Sequence, residues 1–247
     1  MTFTYIDKIR EILAKVEEFE NETMKQVVNL LVEAIMEKRS IFVFGASHAG
    51  ILSEELFYRA GGLMVVNPIF GRELMLDTSP ITHTSQMERL VGYGTALMKG
   101  TPIKERDVLI VHSVSGRNPV SIEVAMEAKK QGAIVVALTN VTYSESVTSR
   151  HPSGQRLFEI ADIVLDNHGD IGDACVSLEG MDQKVAATST VIGATILNSI
   201  VAKATEELIK RGMEKPPIFY SANLDGGDEL NRVMFQKYKD NIHYKFI

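Results

Sequence analysis

The chain has 247 residues, 45% hydrophobic and 23% charged, with a formal net charge of −6 and a single cysteine, Cys175. That length can bury most of its apolar surface as one large α/β domain or as two small ones. The acidic balance and the lack of a Lys/Arg cluster argue against a nucleic-acid surface. A lone cysteine allows no internal disulfide and points to a reducing, cytoplasmic compartment, and Asp7, Glu11, Glu17, Glu18 and Glu20 spoil any secretory leader pattern.

In chain order, Ile6, Ile9, Leu13, Val16 and Phe19 recur at helical spacing, and Val27, Val28, Leu31, Val32 and Ile35 repeat the pattern. They predict two leading helices broken near Asn21-Glu22. Five apolar runs follow with strand character: Ile41–Phe44, Leu63–Asn67, Val108–His112, Ile134–Thr139 and Ile163–Leu165. Continuous apolar strands belong in a parallel sheet covered on both faces. Helical patterns at Ile51–Arg59, Gln86–Met98 and Ile122–Gln131 separate most of them, and a long helix is expected from Lys184 to Arg211. This alternation predicts a three-layer α/β/α sandwich.

Two long connections stand out, Asn140–Arg156, rich in hydroxyls, and Asn167–Gln183, which holds Asp170 and Asp173. Loops of that length are functional or mobile. Val185–Ala202 carries no charge, but its threonines, serines and Asn198 make it too polar for a bilayer span; a helix buried by protein is expected, with no membrane partner. After Pro216-Pro217 a short helix is expected at Asp228–Lys237, within an arm packed on the domain or on a neighbour. The whole reads as one domain over 1–247, with a core at about 35–211, leading helices over 1–34 and the arm over 215–247.

The chemistry concentrates in two turns. Val108–His112 runs into Ser113-Val-Ser-Gly-Arg-Asn118 and then into a helix. A helix start exposes unpaired N–H groups and a partial positive charge. Ser113, Ser115 and Asn118 add donors there, and Gly116 lets backbone approach a ligand. Such a unit is an anion pocket, and phosphate is the expected anion. The earlier Gly45-Ala-Ser47-His48 turn has the same grammar, and both turns at strand ends would face one crevice. Helix capping is the alternative for the hydroxyls.

His48 can donate to a phosphate oxygen, and Asp173 and His168 in the second long connection are further candidates for ligand contact. Gly-x-x-x-x-Gly at the first turn and Asn67 at the second strand's end do not suit a dinucleotide. There is no Lys-bearing phosphate loop, Ser113 lacks the glycines of a nucleophile elbow, and the six His have no paired spacing. No cofactor and no metal are therefore expected.

On the Gly45-Ala-Ser47 turn, the Ser113–Asn118 turn, Ala128–Thr139 and Leu157–Leu165, the chain resembles the sugar isomerase (SIS) domain family over about Ile35 to Arg211. The resemblance implies a five-stranded parallel sheet in flavodoxin-like order, with a phosphorylated sugar or amino sugar at the strand ends. Gly45, Ser47, Ser113, Ser115, Gly116 and Asn118 would hold it. Asn118 replaces the usual Thr and still offers N–H donors.

Within the family, Glu55 and Arg59 resemble the catalytic Glu and trailing Arg of phosphoheptose isomerases, with Glu54 competing for the role. The late helix has no His to pair with that Glu; Glu55 and His48 are the catalytic candidates. A sugar-phosphate isomerase, a phosphosugar sensor and an amino-sugar phosphate lyase remain open. The resemblance and the uncharged Val185–Ala202 face imply a homodimer or homotetramer.

Overall fold

The computed structural model describes residues 3–246; Met1, Thr2 and Ile247, the extreme ends of the two flanks expected above, lie outside the described residues. The leading apolar repeats fold as Thr4–Phe19 (α1) and Asn21–Met36 (α2), divided at Glu20. There the buried carboxylate turns inward, accepting the Asp166 N–H at 3.3 Å and lying 3.0 Å from His168 Nε2. Then come Ile41–Gly45 (β1), Ile51–Leu56 (α3), Val66–Pro68 (β2), Thr82–Glu88 (α4), Tyr93–Lys99 (α5) and Val108–His112 (β3). Pro119–Lys130 (α6), Ile134–Thr139 (β4), Val141–Glu145 (α7), Leu157–Ile160 (α8) and Ile163–Asp166 (β5) complete the sheet region. Ala174–Val176 (β6), Val185–Ala187 (β7), Ser189–Lys210 (α9) and Gly227–Tyr238 (α10) follow.

The main sheet is wholly parallel, in the order β2-β1-β3-β4-β5, with Ile41 opposite both Val66 and Val108 and with Val108 opposite Ile134. Successive side chains on a strand point to opposite faces, and the two cores divide on that parity. Ile41, Val43, Val108, Ile110, Val136 and Leu138 pack under α2 and α9, whereas Phe42, Phe44, Leu109, Val111, Val135 and Ala137 pack under α6. The result is the expected three-layer α/β/α sandwich in flavodoxin-like order. Strand order reverses between β1 and β3, and the crevice outside their carboxyl ends is where such sheets bind ligands.

Several local expectations are corrected. Of Leu63–Asn67 only the end joins the sheet; Leu63 and Met64 are buried by the arm instead, through the Leu63–Ile218 bridge and the Met64 N–H to Pro217 O bond of 2.7 Å. The Ile51–Arg59 helix stops at Leu56, with Tyr58 at φ +44°. Gln86–Met98 splits at Gly92, φ +91°, where the buried Glu123 carboxylate accepts the N–H groups of Gly92 and Thr95 at 2.6 and 3.2 Å and starts a second helix.

The late helix begins at Ser189 because Val185–Ala187, expected as its start, pairs antiparallel with Ala174–Val176 of the long second loop. The first long loop also holds a helix, α7, capped by Asn140 Oδ1 accepting from Tyr143 N at 2.7 Å. Beyond Pro217 the arm lies on its own domain, and Phe219, Met234 and Ile242 enter the core beneath α2 and α9. No helix among the described residues is long and apolar enough to cross a membrane.

Candidate functional site

The first turn folds back hard on its strand. A Cβ on Gly45 would sit 2.3 Å from Ala49 O, so only glycine fits there. Ser47–Gly50 forms a 3-10 turn leading into α3. Ser47 takes φ +51°, a left-handed conformation costly for a side-chain-bearing residue, and its buried Oγ has no hydrogen-bond partner. Beneath the turn, the wholly buried His112 at the end of β3 places Nδ1 3.0 Å from Ala49 O. Burial holds its pKa below the ordinary value, so the imidazole is neutral and Nδ1–H donates to that carbonyl.

The second turn is pinned by the β4–α7 region. Ser113 N donates to Leu138 O at 3.1 Å, Thr139 Oγ1 donates to Ser113 O at 2.7 Å, and Asn140 N donates to Val114 O at 3.0 Å. Gly116, φ +59°, accepts Leu157 N at 2.9 Å, and a Cβ there would stand 3.0 Å from Ser144 Oγ. Asn118 occupies the N-cap of α6, with Pro119 at the first helical position, but no side chain caps the helix. Its Nδ2 donates to Glu88 Oε2 at 2.6 Å and its Oδ1 accepts Arg150 Nη1 at 2.9 Å. The Asn118 amide, expected to offer donors to a ligand, is thus engaged with the protein. The positive end of α6 stays uncapped, its first turn bordering the cleft through the buried Ser121.

Ser47, His48, Ser113, Ser115 and Asn118 all line one cavity of about 460 Å³. Gly45 and Gly116 shape its walls without lining it. Sequence reasoning missed the third wall: Thr82, Thr84, Ser85 and Glu88 on α4, together with Tyr143 on α7. The hydroxyl cluster Thr82-His-Thr-Ser85 was the available signal. Asp173 also borders the cavity, but its carboxylate caps α9, accepting Ser189 N at 2.8 Å and Ser189 Oγ at 2.7 Å.

Three candidates lie outside that lining. Glu55 on α3 pairs with Arg59, beyond the helix end, and accepts Asn198 Nδ2 of α9 at 2.8 Å. Glu54 lines an adjoining space of about 350 Å³ that shares Ser47 and Leu76 with the main cavity. His168 is held between Glu20 at 3.0 Å and Asp166 at 3.7 Å.

Comparison with known proteins bears on this arrangement. The chain is 52% identical over 240 residues to a UPF0309 protein of Shouchella clausii and 50% identical over 240 residues to one of Oceanobacillus iheyensis, in each case across 97% of both chains. Its fold is similar to a phosphoheptose isomerase from Francisella tularensis, with a TM-score of 0.53, 13% identity, and coverage of 82% of this chain and 95% of the other. It is likewise similar to one from Neisseria gonorrhoeae, with a TM-score of 0.52, 15% identity, and coverage of 84% and 96%. The model of the SIS domain matches residues 4–140, from α1 through β4 and including both turns. With its parallel sheet, its two strand-end turns and this match over more than half its length, the chain belongs to the SIS domain family.

Proposed function

We propose that the cleft between the β1 and β3 turns binds a phosphorylated sugar. The phosphate lies against Ser113, Ser115 and the uncapped start of α6, and Ser47 and His48 orient the rest of the molecule. The observation that carries this reading is the Ser47 hydroxyl. It is buried, unpartnered and held in a strained backbone on the wall of a cavity that the opposite serine turn also lines. Strain of this kind persists where the surroundings over-determine it, as at ligand clamps. Membership of the SIS domain family supports the same ligand class.

Titration calorimetry with glucose 6-phosphate, glucosamine 6-phosphate and inorganic phosphate tests the reading. Wild type should bind a phosphosugar, and Ser115→Ala should weaken it by about tenfold, the loss of one charge-assisted hydrogen bond. No heat from any of these ligands at millimolar concentration would defeat the proposal.

Aldose–ketose isomerisation is the finer reading, and the titratable residues bordering the cleft favour it. An isomerase needs an acid and a base near adjacent carbons. His48 and Glu88 share the cleft, while Glu55 stands on the neighbouring helix. Uptake of solvent deuterium at the sugar C2, followed in His48→Gln, Glu55→Gln and Glu88→Gln, assigns the proton carrier.

A further inference from the structure

Three arginines gather on the Asn118 side of the cleft. Arg150 donates from Nη1 to Asn118 Oδ1 at 2.9 Å, and its backbone N–H meets Arg117 O at 2.8 Å. Arg117 donates from Nε to Thr148 O at 3.0 Å, which fixes its guanidinium beside the same turn. Arg89 follows Glu88, whose carboxylate binds Asn118. Arg150 feels the other two charges: burial first, and then Arg117 and Arg89, push its pKa down, against the pull of Tyr143 and Glu88.

Among the described residues, none of the three makes a salt bridge, although many other Lys and Arg side chains do. A guanidinium carries five N–H donors, and in this group most have no protein acceptor. A chain of net charge −6 keeps three like charges together, without a carboxylate ion pair, next to Asn118 and Glu88, which line the cavity. Like charges held so close repel unless an anion joins them.

We infer that the ligand of this cleft carries two separate anionic groups: a phosphate at the serine turns and a second anion, carboxylate or phosphate, that Arg89, Arg117 and Arg150 receive at the Asn118 side. The inference rests on the phosphosugar reading above and narrows it to sugar bisphosphates and phosphorylated sugar acids. Planar guanidinium forks bind both kinds of oxyanion in paired N–H···O contacts. Asn118 stands between the two subsites. Its amide, held by Glu88 on one side and Arg150 on the other, keeps Arg150 beside a residue that lines the cavity.

Calorimetry on the full chain with glucose 6-phosphate, 6-phosphogluconate and fructose 1,6-bisphosphate tests this. At least one of the two ligands with two anionic groups should bind about tenfold or more tighter than glucose 6-phosphate. Which of them gains shows whether the second group is a carboxylate or a phosphate. The preference should fall toward unity in Arg89→Gln and in Arg150→Gln, and it should weaken as salt is raised. Ser115→Ala, in contrast, should weaken all three ligands together.

Equal affinity for all three ligands, unchanged by either arginine variant, overturns the second-anion subsite while leaving the phosphosugar reading intact. Failure of all three to bind overturns that reading itself. Should the arginine variants alter binding of an acidic polypeptide and of no sugar, the trio is a protein-docking patch and the inference is wrong.

Discussion

Asn118 and Glu88 are joined by a hydrogen bond of 2.6 Å that ties the β3–α6 turn to α4. The bond explains why an N-cap asparagine leaves its helix uncapped, and it makes α4 the third wall of the cleft rather than a loose surface helix. A bond to a charged acceptor is worth about 1.5–3 kcal/mol when shielded and less where water competes, as at this half-buried carboxylate. Glu88→Ala should therefore destabilise the protein by about 1 kcal/mol and speed amide hydrogen exchange across Thr82–Glu88. Glu88→Gln, which keeps an acceptor oxygen, should change exchange far less. Unaltered exchange in α4 of Glu88→Ala would show that the helix is held by other contacts.

Ser47 separates strain from binding. Its φ of +51° costs a side-chain-bearing residue about 1 kcal/mol that glycine does not pay. Ser47→Gly should raise the melting temperature by about 2–4 °C for a chain of this size, yet weaken glucose 6-phosphate by about tenfold through loss of the hydroxyl. Ser47→Ala should lose the affinity without gaining the stability. A glycine variant that melts lower than wild type would mean that the hydroxyl stabilises the turn.

The stability of the fold should fall on mild acidification. His112 is buried and its pKa is held below 6.5 by that burial, against the Ala49 carbonyl and Asp173, which raise it. Below about pH 6.5 the unfolded chain takes up a proton that the folded imidazole refuses, so the unfolded state binds more protons. Stability is then lost as pH drops from about 6.5 toward the depressed native value, at up to about 1.4 kcal/mol per pH unit.

His243, also lowered by burial, contributes with the same sign. Glu73 and Glu159, held low by Tyr93 and Arg156, lose their contributions only below about pH 4.5. Urea midpoints between pH 7 and pH 5 should show the decline, and His112→Asn, which retains a donor for Ala49 O, should flatten it. An unchanged slope in that variant would place the effect elsewhere.

Four of the five sheet strands and both turns were legible because their signals are local: apolar runs of the right length, then small and hydroxylated residues, then a helical period. Val108–His112 and Ile134–Thr139 fold at the residues the pattern marks. The α4 wall was not legible, because Gln86–Met98 has a continuous helical period and the split at Gly92 depends on Glu123, distant in sequence. The β6–β7 hairpin was hidden for a related reason: its strands are short and frame a polar stretch that pattern alone reads as loop. The capping of α9 by Asp173 and the engagement of Asn118 by Glu88 and Arg150 likewise join distant residues. Residue type announced hydrogen-bonding groups at these positions but not their partners.

Asn67 shows how the arm closes the sheet. It is buried on the edge strand β2, its Nδ2 donating to Ile41 O at 3.1 Å, Val65 O at 3.0 Å and Asn241 O at 2.9 Å, while its Oδ1 accepts the His243 N–H at 2.6 Å. The His243 ring then stacks on Phe42, with centroids 5.4 Å apart and planes at 5°. An edge strand left open invites pairing with other chains; here one amide fastens the arm alongside it.

An aspartate at this position would turn a donor facing three carbonyls into a buried carboxylate facing them. Asn67→Asp should cost about 3–5 kcal/mol, the scale for an uncompensated buried charge. Asn67→Ala should cost about 1–3 kcal/mol for the partners it strands. Removing residues 239–247 takes away two of the four partners, so the cost of Asn67→Asp should shrink in that shortened protein, read from urea midpoints. If Asn67→Asp unfolds within about 1 kcal/mol of wild type near pH 7, the carboxylate has found water or a cation there, and the amide is not what secures the arm.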